Sequence, residues 1–487
     1  MRAVTERGLQ VVIGLEIHAQ LLTASKMFCG CAVAFGAPPN TLVCPVCLGL
    51  PGALPVPNRR AVELGLRTAL ALGCRVHPRS QFHRKNYYYP DLPKNYQISQ
   101  YQYMDHPPLA TDGWLEIEVD GEVRAIRIRR VHLEEDTGKL LHPQDGRPRS
   151  LVDYNRSGVP LMEIVTQPDL RSPAEAREFL LELRALLQTL EVSAGRMEEG
   201  TLRVDANISL RQPDGTLGTR TEVKNLNSLR ALERALTFEA ERQAGLLAQG
   251  TPVVQETRHW DERRQVTFST RTKEEAEDYR YFPEPDLVPL HIDEAWLDAI
   301  RASLPELPAQ RRARYVTALG LGRHEANLIV RDPKLAAFFE ATLAAFPQPR
   351  TVANWLVGDV AGVLHAEGRE IDQTALTPAR LADLLRLVEE GRISIRAAKE
   401  LLPEVMRRDD PPAALVAERG LEQLSDPEAL ARVVDEVLAA HSQPAEEYRQ
   451  GKDRALAFLV GQVMKRTGGR ANPDLVNRLL RERLRNA

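Results

Sequence analysis

The sequence predicts an α+β protein in which a mixed or antiparallel sheet is followed by helical domains. Roughly the first 290 residues combine segments of alternating apolar and polar residues with helices, without the regular strand–helix alternation of a parallel sheet. A proline-rich stretch at residues 281–289 marks the exit from this part, and beyond it apolar residues recur at helical spacing. A length of 487 residues exceeds what one core supports and predicts about two to four domains.

The overall composition is that of an ordinary soluble protein, with 27% charged and 43% hydrophobic residues. A net charge of −3 gives no whole-protein attraction to nucleic acid, so any RNA contact must come from a local patch. We expect a cytoplasmic protein without membrane contact, because the N-terminus lacks a signal peptide's apolar core and no apolar run could span a bilayer. There the five cysteines would be thiols or metal ligands rather than disulfides.

Residues 11–21 alternate as a strand does, with apolar side chains on one face. The other face carries Glu16 and His18, flanked by Gly14 and Gln20. A glutamate and a histidine two residues apart on one strand face form a platform for a metal ion or a phosphate group. A solvated face of an antiparallel sheet explains the same pattern equally well.

Four cysteines near the N-terminus have the spacing of a zinc site. Two close pairs, separated by twelve residues, can fold back around one tetrahedral ion: Cys29, Cys31, Cys44 and Cys47. Because four thiolates leave no position open for a substrate, the predicted zinc is structural. Cys74 is interpreted as a core thiol.

Residues 82–96 combine basic, aromatic and amide side chains between prolines. They include Lys85 and Lys94, two of the ten lysines in an arginine-rich chain. The segment either contacts RNA by stacking and charge pairing, or forms a rigid polar loop that lines a cavity. Residues 205–209, which include Asp205, place further charged and amide groups on one strand face, a pattern typical of sites and passages but also of solvated strands.

Two acidic features indicate a magnesium site. Residues 134–136 are three consecutive carboxylates before a Thr-Gly turn, for which an exposed acidic turn is the alternative. Glu163 lies in the apolar run 159–165, where a lone carboxylate must neutralise, pair or bind a metal. The combined set offers mostly oxygen ligands, suited to Mg²⁺ with nucleotide phosphates: Glu16, His18, one of Glu134 or Glu135, and Glu163.

The chain lacks the motifs of other common catalytic sites. It contains no P-loop, no Gly-x-Gly-x-x-Gly after a strand and no Gly-x-Ser-x-Gly. Use of ATP would therefore depend on magnesium held by carboxylates. The chain is not expected to hydrolyse an amide itself to supply nitrogen, because no nucleophile constellation stands out and the cysteines are assigned to metal.

Capping signals define several helices. Ser172 and Glu175 form a predicted capping box before an apolar stripe. Thr377 and Asp426 each precede a proline at the first helical position, and apolar residues at helical spacing follow both. From Lys452 onwards the chain is basic, with nine basic residues against three acidic ones.

Several motifs resemble those of the B subunits of aspartyl/glutamyl-tRNA amidotransferases. They lie at residues 14–18, 84–87, 133–136, 152–165, 205–209, 224–228 and 278–286. The similarity continues to residues 471–477, so it covers nearly the whole chain. It implies three domains: a cradle related to glutamine synthetase and guanido kinases at 1–292, with a zinc knuckle at 29–47, a helical domain at 293–410 and a YqeY-like tRNA-binding tail at 411–487.

The resemblance also implies a reaction. ATP phosphorylates the side-chain carboxylate of Glu-tRNA(Gln) and/or Asp-tRNA(Asn), and ammonia released from glutamine by a partner amidase displaces the phosphate. The partners would be the amidase (glutaminase), called the A subunit, and the small C subunit, in a heterotrimer that also binds tRNA(Gln) and/or tRNA(Asn). A non-catalytic tRNA-binding scaffold and a free-standing ligase like glutamine synthetase are the alternatives.

The family's functional positions can be carried over residue by residue. Magnesium, acting with ATP, would be held by Glu16, His18, Glu135 and Glu163. The ammonia passage would involve Lys85, Lys94 and Asp205. The structural zinc would be held by Cys29, Cys31, Cys44 and Cys47.

Overall fold

A computed structural model describes residues 4, 6–100, 107–143, 149–272, 279–424 and 426–486. Asp278, the first residue of one motif, lies outside the described residues. The chain divides into two compact units, Met1–Gln310 and Arg311–Ala487. The first contains the sheet and the second is helical, which confirms the predicted fold class of a mixed sheet followed by helices.

The strands belong to the first unit. In chain order they are β1 (Gln10–Gln20), β2 (Arg75–Val76), β3 (Arg79–Ser80), β4 (His83–Asn86), β5 (Tyr96–Ser99), β6 (Ala110–Val119), β7 (Glu122–Glu135), β8 (Lys139–Leu141), β9 (Leu151–Asp153), β10 (Pro160–Thr166), β11 (Leu202–Arg211), β12 (Thr221–Lys224), β13 (Glu256–Asp261), β14 (Val266–Thr272), β15 (Phe282–Pro283) and β16 (Leu290–His291).

The helices occur in both units. In chain order they are α1 (Arg59–Ala71), α2 (Pro173–Thr189), α3 (Leu229–Ala248), α4 (Glu294–Ala302), α5 (Pro308–Thr317), α6 (Arg323–Val330), α7 (Pro333–Ala345), α8 (Pro349–Asn354), α9 (Ala361–Glu367), α10 (Pro378–Glu389), α11 (Ile395–Val405), α12 (Pro412–Glu418), α13 (Pro427–Ala440), α14 (Ser442–Arg449), α15 (Arg454–Arg466) and α16 (Pro473–Asn486). A π-helical turn, Trp355–Val360, joins α8 to α9.

The main sheet is mixed but mostly antiparallel. Its strand order is β14-β13-β12-β11-β1-β10-β7-β5-β4-β15, and β6 pairs with both β7 and β2. The β12–β13 pair is parallel, whereas the other ladders of this sheet are antiparallel. At the centre of the sheet, β1 pairs with β10 on one side and with β11 on the other.

The core of the first unit lies between one sheet face and helices α1, α2 and α3. On β1 the alternation is as predicted, because Ile13, Leu15 and Ile17 are fully buried in this core. Their neighbours Glu16 and His18 therefore lie on the opposite face, away from the helices. This asymmetry leaves one face of the central strands available for polar chemistry.

The predicted capping signals are present, with one difference. Ser172 Oγ accepts a hydrogen bond from the backbone N–H of Glu175, as a capping box requires. The carboxylate of Glu175 accepts from the backbone N–H of Arg171 and from Arg124 instead of returning to Ser172, so the box is only half formed. Thr377 caps α10 in the predicted manner.

The second unit contains two apolar clusters. One spans residues 315–416 and includes Leu381, Leu384 and Leu385 of α10. The other is built from α13 to α16 and includes Leu430 of α13. Among the residues that the structure describes, no helix has both the length and the apolar character needed to cross a membrane.

Glu239 on α3 provides a stability test of the first unit. Its fully buried carboxylate accepts hydrogen bonds from Arg242 at 2.6 and 2.9 Å and from Thr267, and lies 3.5 Å from Arg258. Glu239→Ala removes the fully buried carboxylate and leaves Glu256 as the remaining carboxylate beside both guanidinium groups. We therefore expect the free energy of unfolding to fall by about 3 kcal/mol in urea denaturation, the lower end for loss of one partner of a buried ion pair.

The matched control is Glu233→Ala on the same helix. Glu233 is half-exposed and lies 3.6 Å from Arg177, so the expected loss is below about 1 kcal/mol. Equal losses for the two variants would contradict the proposed importance of the buried carboxylate.

Candidate metal sites

The polar face of the central strands carries a row of facing charged groups. In the antiparallel register, His132 of β7 lies opposite Glu163 of β10, which lies opposite His18 of β1. On the other side of β1, His18 lies opposite Arg203 of β11. Because side chains directly opposite each other in a sheet share a face, the row brings together residues that are far apart in sequence.

Glu163 and Glu134 share the same two histidines. Oε2 of Glu163 lies 2.8 Å from Nε2 of His132 and 3.9 Å from Nε2 of His18. The corresponding distances from Glu134 are 3.8 Å to His132 and 3.6 Å to His18. Ser99 Oγ donates a further hydrogen bond to Glu134 at 3.1 Å.

Charge pairing outweighs the cost of burial in this group. Burial disfavours the ionised form of Glu163, but His132, His18 and Arg130 hold the pKa of its carboxyl below the ordinary value. Burial also disfavours the imidazolium of His132, yet Glu163 and Glu134 raise the pKa of that ring to about 9. Glu163 is therefore ionised at neutral pH, paired with a charged His132.

Three of these residues have the geometry of a metal site. One ligand atom from each of His18, Glu134 and Glu163 lies within 4.8 Å of the others. Two carboxylates and one imidazole form an oxygen-rich set that suits a hard divalent cation whose remaining positions are filled by water or phosphate oxygens. The donor chemistry thus fits magnesium.

The structure brings Glu134, and not Glu135, into this group. Consecutive residues of a strand point to opposite faces, so Glu135 is directed away from His18 and Glu163. Its carboxylate forms an ion pair with Lys94 and accepts the backbone N–H of Ile98 at 3.0 Å. The ligand position that the resemblance implied for Glu135 therefore differs from the observed grouping by one residue.

Glu16 lies on the same face, two residues before His18 on β1. It faces Asp205 of β11, and its carboxylate accepts a hydrogen bond from Asn207 at 3.1 Å. Burial raises the pKa of Glu16, and the negative charges of Glu163, Glu222 and Asp205 raise it further. A cation bound nearby would relieve this repulsion.

The predicted passage residues occupy separate parts of the first unit. Lys94 pairs with Glu135, as described above. Lys85 of β4 has its ammonium 4.8 Å from the ring centroid of Tyr279 and 5.8 Å from that of Tyr87. Asp205 accepts a hydrogen bond from Lys224 at 2.9 Å, on the side of the sheet order away from β4. The carboxylate–histidine group lies on strands between them.

Sequence reasoning missed several cations of the polar face. His132 makes the shortest contact with Glu163, Arg130 lies 3.7 Å from the same carboxylate, and Arg203 lies opposite His18. A signal for His132 is present in the sequence, because it precedes Glu134 by two residues and must share its strand face. The same alternation of strand side chains places Glu135 on the opposite face from Glu134.

The four N-terminal cysteines form a second group. Their sulfur atoms all lie within 4.8 Å of one another, a separation suited to a tetrahedral zinc–thiolate centre. A hydrogen bond with the Cys29 thiol lowers the pKa of Cys47 to about 4, and the charge of Lys26 adds to this effect. The backbone N–H of Cys44 also points at the Cys47 sulfur, at 3.2 Å. These contacts favour the thiolate form that binds metal.

Comparisons with known proteins agree over nearly the whole chain. A family model described as the GatB/GatE catalytic domain matches residues 11–298, and one described as the GatB domain matches residues 337–484. A Moorella thermoacetica protein, named as the B subunit of aspartyl/glutamyl-tRNA(Asn/Gln) amidotransferase, is 58% identical, covering 98% of this chain and 99% of that protein. A Carboxydothermus hydrogenoformans protein of the same name is 51% identical, with the same coverage.

Metal analysis tests the cysteine group. We expect purified protein to contain about one zinc ion per chain, because four converging thiolates complete a tetrahedral shell. Cys47→Ala removes one ligand and should strongly reduce the zinc content measured by mass spectrometry of the metals. Cys74→Ala is the control, since Cys74 is a buried thiol outside the group, and it should leave zinc unchanged. Retention of zinc by Cys47→Ala would exclude this site.

Proposed function

Because the chain belongs to the family of aspartyl/glutamyl-tRNA(Asn/Gln) amidotransferase B subunits, we propose that it activates a tRNA-linked carboxylate and joins it to ammonia. The resemblance deduced from the sequence motifs is thereby confirmed at the level of the family. The first unit would carry out the chemistry, and the second would contribute to tRNA binding.

The proposed reaction has two steps. The γ-phosphoryl group of ATP is transferred to a side-chain carboxylate oxygen of Glu-tRNA(Gln) and/or Asp-tRNA(Asn), which yields an acyl phosphate and ADP. Ammonia then attacks the acyl carbon, inorganic phosphate leaves, and the amide is formed. The nitrogen would come from glutamine hydrolysed by a partner amidase in a complex that also contains a small third protein.

The observation that carries this proposal is the grouping of His18, Glu134 and Glu163 on one sheet face. These residues would hold magnesium, and Glu16 on the same face would add a further carboxylate. When bound, magnesium would neutralise the charge of the phosphoryl group being transferred. His132 would hold Glu163 in place, because its ring lies 2.8 Å from the carboxylate and is itself nearly fully buried.

Two lysine–carboxylate pairs on the strands around the candidate magnesium site support the ammonia step. Lys94 pairs with Glu135, the residue next to Glu134, and Lys224 pairs with Asp205 on the far side of β1. Acid–ammonium pairs of this kind can accept a proton from NH₄⁺ and so deliver nucleophilic NH₃. Lys85 would contribute to the same passage.

The C-terminal helices supply a basic surface for tRNA. Helix α16 carries Arg481, Arg483 and Arg485 within its last turns, and all three are exposed. Arginines of this kind bind phosphates without reading bases, so their contribution should depend on salt concentration. The whole-protein charge of −3 makes such a local patch necessary.

Glu163→Gln tests the activation step. The amide keeps the size of the side chain but removes its charge, so we expect carboxylate phosphorylation and amidation to fall at least about 100-fold. Binding of mischarged tRNA and glutamine hydrolysis by the assembled complex should remain. The assays are ATP turnover, formation of Gln-tRNA(Gln) or Asn-tRNA(Asn), and filter binding of tRNA.

The matched control is Glu116→Gln, because Glu116 is exposed on β6 and lies outside the group. It should amidate at the normal rate. If folded, assembled Glu163→Gln also amidated normally, the chain would be a non-catalytic tRNA-binding scaffold. Turnover of ATP on free glutamate without tRNA would instead indicate a free-standing ligase.

A pair of neighbouring variants distinguishes the two adjacent glutamates. Glu134→Gln should raise the magnesium concentration needed for half-maximal amidation by about tenfold or more, because a ligand is lost. Glu135→Gln should leave that requirement unchanged and lower the amide formed per glutamine hydrolysed, since its partner is Lys94. The reverse pattern would assign the magnesium ligand to Glu135.

A further inference from the structure

Lys26 is a buried cation whose role the proposed function does not explain. Its side chain is completely enclosed, although lysine is among the residues least often fully buried. An enclosed ammonium group is costly unless charge or hydrogen bonds compensate it. The groups that compensate the Lys26 ammonium should therefore indicate the role of this residue.

Lys26 is bound to the cysteine group through both its side chain and its backbone. Its Nζ lies 3.6 Å from Sγ of Cys47 and donates a hydrogen bond to the backbone carbonyl of Tyr154 at 3.2 Å. Its backbone N–H donates to the carbonyl of Cys31 at 2.9 Å. Lys26 thus joins one cysteine pair to the other.

The charge of a zinc–thiolate centre explains why a cation is placed here. Four thiolates around a divalent ion carry a net charge of −2, and one of them, Cys47, is nearly fully buried. An ammonium group in contact with one sulfur removes half of that charge and donates a hydrogen bond to the ligand. A neutral side chain could donate the hydrogen bond but could not compensate the charge.

The same residues form a wall of the cavity that contains Lys94. This cavity has a volume of about 90 Å³ and is lined by Lys26, Cys29, Cys47, Gly49, Lys94 and Glu135 among others. Gly49 has a φ of +66° and packs so closely on Lys94 that any Cβ would clash with that side chain. The cysteine loop and Lys94 are therefore in direct contact.

Gly158 brings the remaining groups together. A Cβ built on this glycine, which has a φ of +86°, would lie 3.4 Å from Cδ of Lys26, 3.5 Å from Cβ of Cys47 and 3.8 Å from Oε2 of Glu135. The aliphatic stem of Lys26, the side chain of Cys47 and the carboxylate of Glu135 therefore all pack around Gly158. The cysteine group and the Lys94–Glu135 pair are therefore packed against the same glycine.

We infer that Lys26 is a positioning residue of the cysteine metal site. It compensates the negative charge of the metal–thiolate centre and holds the cysteine loop in place as one wall of the cavity lined by Lys94 and Glu135. It is not itself a ligand, because the four thiolates complete the shell. This role is independent of whether the chain phosphorylates a carboxylate.

Metal release from the full chain tests the inference. Zinc-loaded protein is mixed with an excess of a chromogenic chelator, and the rate of zinc transfer is recorded. Lys26→Met keeps the side-chain stem but removes the charge and the donor, so zinc should leave about tenfold faster or more. In the cobalt-loaded protein, the sulfur-to-metal charge-transfer bands should shift, because one sulfur loses its hydrogen bond.

Lys94→Met is the matched control, since it removes an ammonium from the same cavity without touching a sulfur. It should release zinc at the normal rate and leave the cobalt spectrum unchanged. Wild-type release from Lys26→Met, or equally fast release from both variants, would overturn the inference. Should Lys26→Met fail to fold, Lys26→Gln, which is uncharged but keeps an N–H donor, is judged by the rate of zinc release, which should still rise because the charge is lost.

Discussion

Compensation of buried negative charge is the constraint on which the first unit depends. Glu163 and Glu134 are nearly fully buried, and His132 and His18 hold the pKa of both carboxyls below the ordinary value. Arg130 adds to this effect at Glu163. In an apolar setting such charges would cost several kcal/mol. The histidines that share their face of the sheet offset this cost, and the apolar face of the same strands provides the core.

The two candidate metal sites meet the same constraint in different ways. The carboxylate site depends on strand register, because its ligands come from β1, β7 and β10 and approach one another only when these strands pair correctly. The cysteine site depends on two short loops, with Lys26 supplying the cation. Three protein ligands at the first site would leave coordination positions of a bound cation open for water or phosphate, whereas four thiolates close the second.

Glu135 connects these two regions. It follows Glu134 directly in β7, yet its carboxylate points towards Lys94 and the cavity beside the cysteine loop. The adjacent side chains of Glu134 and Glu135 therefore point to opposite faces of the sheet. This arrangement places the proposed ammonia-handling pair and the proposed metal ligands only one residue apart, separated by the sheet itself.

The sequence by itself determined the local structure and the chemical types present. Alternation placed Glu16 and His18 opposite a buried apolar face, capping residues marked the starts of helices, and cysteine spacing identified the thiolate group. It did not reveal that His132 faces Glu163, or that Arg203 faces His18. Those pairings were decided by the tertiary structure, because register between strands distant along the chain is set by packing and ladder hydrogen bonds, which leave no local signal in the sequence.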